Sequence, residues 1–310
     1  MLWRLEGLLA HGLEGTALGT LVMPYCSGLG NLIFVALMAN SPAPGSAVLT
    51  NCLVNNVTNL TLLLGLPALL WGLPLAAPGA AGKSRGAKRK AAAAGGGPGP
   101  ALTKLSLLLT LAAVGFFSGI AWTLGADGRI DRHDGLALVA LFLFWQSFQL
   151  FDVLKNNVQQ RRAFGPLFYL DLFFVLLGAV GLFVSIEWLV GWLSAQQGDF
   201  INAANLGWLT GWLMVVPNAL LAFWYAARGR ADIVYASQIG DGHISIPLCL
   251  GLAACIAPVA VPPFFTVGLA ILGGAALLHA GCIAWAGGLP RWLGWVLVGA
   301  YGGFLALGLG

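Results

Sequence analysis

Apolar residues fill this chain in runs of about twenty to thirty, separated by short clusters of Gly, Pro, Asn and charged residues. About twenty such residues are needed to cross a bilayer as a helix. The pattern predicts nine spanning segments, at roughly 7–39, 46–73, 101–124, 135–154, 167–195, 202–227, 234–260, 263–286 and 292–309. Each span must satisfy its own backbone polar groups in lipid, and the runs are too long and continuous for barrel strands, so an all-α integral membrane fold is expected.

Two stretches repeat each other about 187 positions apart. The first reads MPYCSGLGNLIFVALMAN from Met23 and then TNCLVNNVTNLTLLLGLPALL from Thr50. The second reads VVPNALLAFWYAA from Val215 and then ASQIGDGHISIPLCLGLAACI from Ala236. Both are apolar helices interrupted by small, proline or amide residues. Paired interruptions at matching places point to the binding site of a transporter. The expected helix breakers are Pro24, Gly28, Gly30 and Pro217, with Gly240 and Gly242 unwinding the later segment.

Composition and charge agree with this pattern. Apolar residues make up 59% of the 310 and charged residues 8%, which excludes a soluble fold. Thirteen of the fifteen Lys and Arg fall on one side if the N-terminus is cytoplasmic, and only Arg129 and Arg132 fall outside. Nine spans then leave the C-terminus outside, and the two repeats enter from opposite faces as an inverted pair. A multi-pass protein of the plasma (inner) membrane is expected, with the lipid bilayer as partner and no nucleic acid, because the net charge of +4 is accounted for by topology.

The N-terminus lacks a cleaved signal, since Glu6, His11 and Glu14 divide its apolar core. The stretch 74–100, centred on KSRGAKRK, is expected to be a flexible basic cytoplasmic loop. Five cysteines without CxxC spacing, and scattered histidines, indicate no disulfide framework, zinc site or enzyme, and no cofactor beyond transported cations is implied. DGRIDRHDG at Asp127–Gly135 lacks the alternating acids of an EF-hand and reads as an outer turn.

The repeats resemble the alpha repeats of the sodium/calcium exchanger family, the cation/calcium antiporters. Their pattern is GTSLPE, a helix, then GNxxGSNxFN and an apolar tail ending in Gly. SGLGNL at Ser27–Leu32 stands where TSLPEL would, and VVPN at Val215–Asn218 keeps the proline. TNCLVNNVTN at Thr50–Asn59 follows the second motif well, and ASQIGDGHIS at Ala236–Ser245 follows it loosely. The resemblance implies cation exchange by alternating access. It divides the chain into a first alpha repeat at 1–73, the loop, two further spans with a connector at 101–166, and a second half at 167–310 with five spans.

This chain departs from the family at its charges. The family's two glutamates hold calcium, and here both positions are amides, Asn31 and Asn218. Unit charges about 4 Å apart attract by roughly 4 kcal/mol at an effective dielectric near 20, and about twice that for a divalent ion, so tight calcium binding is not expected. The one acid left in the repeat cores is Asp241, with Asn55 as its counterpart and His243 two residues on. The expected ion site comprises Asn31, Asn55, Asn59, Asn218, Asp241, Ser245 and His243, with Asp241, Asn31 and Asn218 as metal ligands. The cation is left open among Na+, H+ and Ca2+. Readings weighed beside cation exchange are a proton-coupled monovalent cation antiporter using Asp241 and a transport-inactive scaffold or subunit. About 30 residues precede Asn31, too few for two spans, so the family's first helix is expected to be missing, with impaired transport, a partner subunit or homo-oligomer, or a late start as alternatives.

Overall fold

The computed structural model describes residues 23–39, 44–75, 100–157 and 166–309. The basic stretch KSRGAKRK and residues 7–22 of the first expected span lie outside the described residues. The chain order is α1 (Met23–Met38), α2 (Pro44–Leu60), α3 (Leu62–Trp71), β1 (Leu73–Pro74), α4 (Pro100–Leu124), β2 (Arg129–Ile130), α5 (Arg132–Asn157), α6 (Pro166–Ser194) and α7 (Leu206–Ala226). It continues with α8 (Ala231–Gly240), α9 (Gly242–Ile244), a π-helical segment (Ser245–Leu250), α10 (Gly251–Ile256), β3 (Val259–Ala260), α11 (Phe265–Gly281), a second π-helical segment (Cys282–Ala286), β4 (Gly288–Leu289) and α12 (Arg291–Leu309). Among the described residues, eight helical stretches are long and apolar enough to cross a membrane, and Gly28–Met38 is a shorter apolar helix.

Burial separates central from peripheral helices. The stretches Gly45–Trp71 and Ala231–Ile256 are 78% and 76% buried, whereas Leu172–Ser194 in α6 is 11% buried. The central pair therefore meets protein on nearly all sides, which lets polar groups sit at membrane depth, while α6 presents Leu, Phe and Val to lipid. The core is built from Phe34, Leu49, Leu60, Leu64, Phe117, Tyr235 and Phe304 among others.

Helices associate in lipid by close packing rather than by hydrophobic exclusion, so small residues mark the contacts. At Gly207 an added Cβ would lie 2.6 Å from the Ala47 carbonyl, and at Gly211 it would lie 2.8 Å from Val54 Cβ, so this small-xxx-small pair seats α7 on α2. At Gly294 it would lie 2.6 Å from the Gly65 carbonyl, joining α12 to α3. At Gly135 it would lie 2.7 Å from the Gly251 carbonyl, joining α5 to α10.

Two short antiparallel pairings tie the helix ends. β1 pairs with β4, as Leu73 to Leu289 and Pro74 to Gly288. β2 pairs with β3, as Arg129 to Ala260 and Ile130 to Val259. They lie at opposite ends of the bundle, because α4 starts near β4, where Lys104 Nζ donates to the Ala284 carbonyl at 2.7 Å, and ends beside β2. In the DGRIDRHDG turn, Asp131 and Asp134 accept from each other's backbone amides at 3.1 and 2.9 Å, a reciprocal cap for α5.

Candidate functional site

Asp241 sits where the second interrupted helix breaks. α8 stops at Gly240, α9 lasts three residues, and the chain then widens into the π-helical Ser245–Leu250. Pro247 has no N–H for the carbonyl four residues earlier, and a π-bulge is a common way to absorb that loss. The backbone at Asp241 stays helical, at φ −63 and ψ −37. Its side chain is 0% exposed.

The polar residues around it form a connected network. Asn218 Nδ2 donates to Asp241 Oδ2 at 2.6 Å, and Asn59 Nδ2 donates to the same oxygen at 3.0 Å. Asn59 Nδ2 also donates to Asn55 Oδ1 at 2.9 Å. Asn55 Nδ2 donates to Asn31 Oδ1 at 3.3 Å, and Asn31 Nδ2 to Ser245 Oγ at 3.1 Å. Ser245 Oγ closes the circuit by donating to the Asp241 carbonyl at 2.8 Å. All of these residues are buried, at 4% exposure or less. Ionised carboxylate in such a place is tolerated only with charge-assisted hydrogen bonds of this kind, each worth about 1.5–3 kcal/mol. Asn59 Oδ1 accepts no hydrogen bond from the described residues, and neither does Gln238 Oε1 nearby. Buried amide oxygens of that kind are hard, neutral ligands suited to a cation.

The structure thus brings together Asn31, Asn55, Asn59, Asn218, Asp241 and Ser245. The side chain of His243 lies outside the described residues, as does that of Pro24. Sequence reasoning passed over Gln238, which is fully buried and donates from Nε2 to the Asn218 carbonyl at 3.2 Å. The signal was present, since Gln238 precedes Asp241 by three positions on a helix and shares its face. Asn51, in the polar ladder, donates instead to Thr210 Oγ1 of α7 at 3.0 Å, and Asn56 bonds back to the Cys52 carbonyl of its own helix at 2.7 Å. Thr58 and Thr61 bond back to the Val54 and Val57 carbonyls of their own helix.

The expected breaks at Gly28, Gly30 and Pro217 are corrected by the structure, whereas the segment leading into Pro24 lies outside the described residues. α1 runs unbroken through Gly28 and Gly30. α7 runs unbroken through Pro217, which bends a membrane helix more readily than it ends one. An added Cβ at Gly28 would lie 3.4 Å from Ile244 Cγ2 and 3.9 Å from Asp241 Oδ1, ordinary contacts that place this turn of α1 against the carboxylate. Gly240 and Gly242 flank the break at Asp241, and the first half breaks at Thr61 between α2 and α3.

Irregular backbone and a buried polar circuit are thus held inside a multi-span helical bundle by two mostly buried helical stretches. The sodium/calcium exchanger protein family matches residues 2–151. Over those residues the chain is similar to the sodium/calcium exchanger family. Its fold is similar to that of the sodium-calcium exchanger NCX_Mj. The structure of that exchanger soaked with 2.5 mM Na+ and 10 mM Sr2+ superimposes with TM-score 0.66 at 19% identity, covering 98% of this chain and 92% of the exchanger. With 100 mM Na+ and 10 mM Sr2+ the TM-score is 0.67 at 18% identity over the same shares. With zero Na+ and Ca2+ it is 0.63 at 18% identity, covering 98% and 96%. No curated protein matches the chain in sequence.

Proposed function

We propose that this chain exchanges cations across the membrane by alternating access, with Asp241 as the charged ligand and amide oxygens from both halves completing the site. The observation that carries the reading is Asp241 Oδ2 held by Asn218 from α7 and Asn59 from α2. A cation entering there would displace amide N–H groups, and rotation of Asn59 and Asn218 would offer their oxygens instead. One carboxylate among these six residues balances one positive charge, which favours a monovalent ion or a proton as the coupling partner over a doubly charged ion.

Two inverted halves support alternating access, and matched contacts support the inversion. Gly65 and Gly251 are 186 positions apart, as are Leu73 and Val259, while Gly135 and Gly294 are 159 apart, as are Ile130 and Leu289. Under these offsets the Gly65–Gly294 contact maps onto Gly251–Gly135, and the β1–β4 pairing maps onto β3–β2 residue for residue. The offsets carry Asn55 onto Asp241 and Asn59 onto Ser245. Such contacts at opposite ends of the bundle suit an inverted pair, with the loosely held α6 free to slide. The bundle end that holds Lys104, Arg228 and Arg291 would face the cytoplasm, and the end with Arg129 and Arg132 the outside of the inner membrane.

Flux in proteoliposomes under sodium, potassium, proton and calcium gradients tests this reading. Exchange of a monovalent cation or proton is expected, and Asp241→Asn should lower it at least about 100-fold, since it removes the only formal charge among the six. Absence of any flux, or flux indifferent to Asp241→Asn, would replace the transporter reading with that of a membrane scaffold.

A further inference from the structure

We propose that His279 is a positioning residue for this exchange, clamping the junction between α2 and α3 from the core helix α11; the role rests on the transport reading above. α2 ends at Leu60 and α3 begins at Leu62, so Thr61 is a turn between two half-helices. The last carbonyls of a helix lack ladder partners and take them from elsewhere. His279 Nε2 lies 2.8 Å from the Leu60 carbonyl, between two groups that are each 0% exposed. A carbonyl can only accept, so the imidazole donates from Nε2 and Nδ1 carries the lone pair. Nδ1 has no hydrogen-bond partner among the described residues. The ring of Tyr235 from α8 meets the imidazole edge to face, with centroids 6.0 Å apart and planes at 79°, which fixes its orientation.

The clamp reaches both sides of the ion site. Leu60 adjoins Asn59, whose amide holds Asp241, and Tyr235 precedes Asp241 by six residues on the other interrupted helix. It also lacks a counterpart. The offsets that relate the two halves carry Leu60 and Thr61 onto Ile246 and Pro247, and carry His279 onto Ile120, which has no donor. One junction is therefore tied through its backbone carbonyl to α11, while its mate, a π-helical segment, is held through the Ser245 hydroxyl by Asn31 and has Ile120 in place of the imidazole. In an inverted pair, junctions of unequal stiffness favour opening toward one face, so His279 sets the balance between the two facing states.

The test compares the full-length chain with His279→Leu, which keeps volume and removes the donor, and His279→Gln, which keeps a donor. Hydrogen exchange of the junction peptide 57–66 should accelerate about tenfold in His279→Leu and stay within about twofold of wild type in His279→Gln. The ratio of apparent KM for the cation at the two faces of oriented vesicles should shift about tenfold in the Leu variant and return in the Gln variant. If His279→Leu does not fold, the wild type still decides, because its 57–66 peptide, with a backbone carbonyl tied to α11, should exchange more slowly than 243–252, which is held only through the Ser245 side chain. Unchanged exchange at 57–66, or equal exchange at the two wild-type junctions, overturns the clamp whether or not ions move. Lost thermal stability with an unmoved KM ratio reduces His279 to a core residue and overturns its positioning role. Failure of the transport reading is recognised separately, as flux that ignores Asp241→Asn.

Discussion

The two halves of the candidate site keep the same scaffold and differ in what they put on it. In the first half, α1 to α3 lie within the residues that match the family, and their site groups Asn31, Asn55 and Asn59 are all neutral. The second half lies outside that match, yet the fold likeness covers 98% of the chain, and this half holds the carboxylate. Its helix break is also different, with Asp241 at the break itself, whereas Asn55 lies in regular α2, six positions before Thr61. Packing contacts such as Gly65–Gly294 and Gly251–Gly135 are thus common to both halves, while the charge and the π-helical backbone belong to the second. Scaffold and charge are separable.

The largest effect should come from moving that charge across the two halves. In Asp241→Asn combined with Asn55→Asp, the acid returns at the counterpart position, within reach of the same Asn59 amide. Flux should stay below about a tenth of wild type, because a regular helix fixes the Asn55 side chain where the break at Asp241 leaves backbone groups free to adapt. Recovery toward the wild-type rate would show that the halves are interchangeable and that the break contributes nothing.

Next in size is restoring an acid where the family has one. Asn218→Glu would place a second carboxylate beside Asp241, whose Oδ2 the amide now meets at 2.6 Å. Two carboxylates that close share a proton until a cation separates them. Calcium affinity should rise at least about 100-fold, a conservative fraction of the Coulomb gain at an effective dielectric near 20. Binding would release the shared proton, so apparent affinity should also rise with pH. Calorimetric titration with calcium at three pH values measures both, and a pH-independent or unimproved affinity sinks the idea.

Much of this arrangement was legible in the sequence, for reasons that differ from residue to residue. Spans are fixed by the length of apolar runs, and the membrane allows few alternatives. The amide–carboxylate cluster was legible because an acid and so many amides cannot face lipid. The continuity of α1 through Gly28 and Gly30 was not, since glycine permits a break without requiring one. His279 was illegible for a further reason. Its partner is a backbone carbonyl 219 positions away, freed by a break at Thr61 that no glycine or proline marks.

Smaller effects should follow from the contacts the halves share. Gly135→Val and Gly294→Val each drive a side chain into a facing backbone carbonyl, at 2.7 and 2.6 Å for the first added carbon. Overpacking of that kind costs about 1–3 kcal/mol. Thermal unfolding in detergent should drop by similar amounts in the two variants, whereas Gly299→Ala, which meets nothing within 4 Å, should not destabilise. Unequal losses for the two valines would break the equivalence of the packing.

The smallest effect concerns how the two halves begin the helices α5 and α12. The 159-position offset carries Asp131 onto Pro290 and Arg132, which opens α5, onto Arg291, which opens α12. Asp131 Oδ1 accepts the amides of His133 and Asp134 at 2.8 and 3.1 Å. Those bonds, the one from Asp134 foremost, hold its pKa below the ordinary 3.8. A depressed carboxylate pKa gives a contribution fully present above the unfolded value and lost as pH falls through the folded one, so the start of α5 should loosen only in acid. Pro290 starts α12 through its fixed φ, with the Leu293 amide on its carbonyl at 3.2 Å, and has nothing to titrate. Hydrogen exchange of the 129–136 peptide, corrected for intrinsic rates, should therefore accelerate on acidification from about pH 6 to about pH 3, while that of 288–295 stays level. Asp131→Asn, still a good cap but uncharged, should abolish the difference. An equal acid response at the two helix starts would show that the cap and the proline are not alternative solutions to one structural problem.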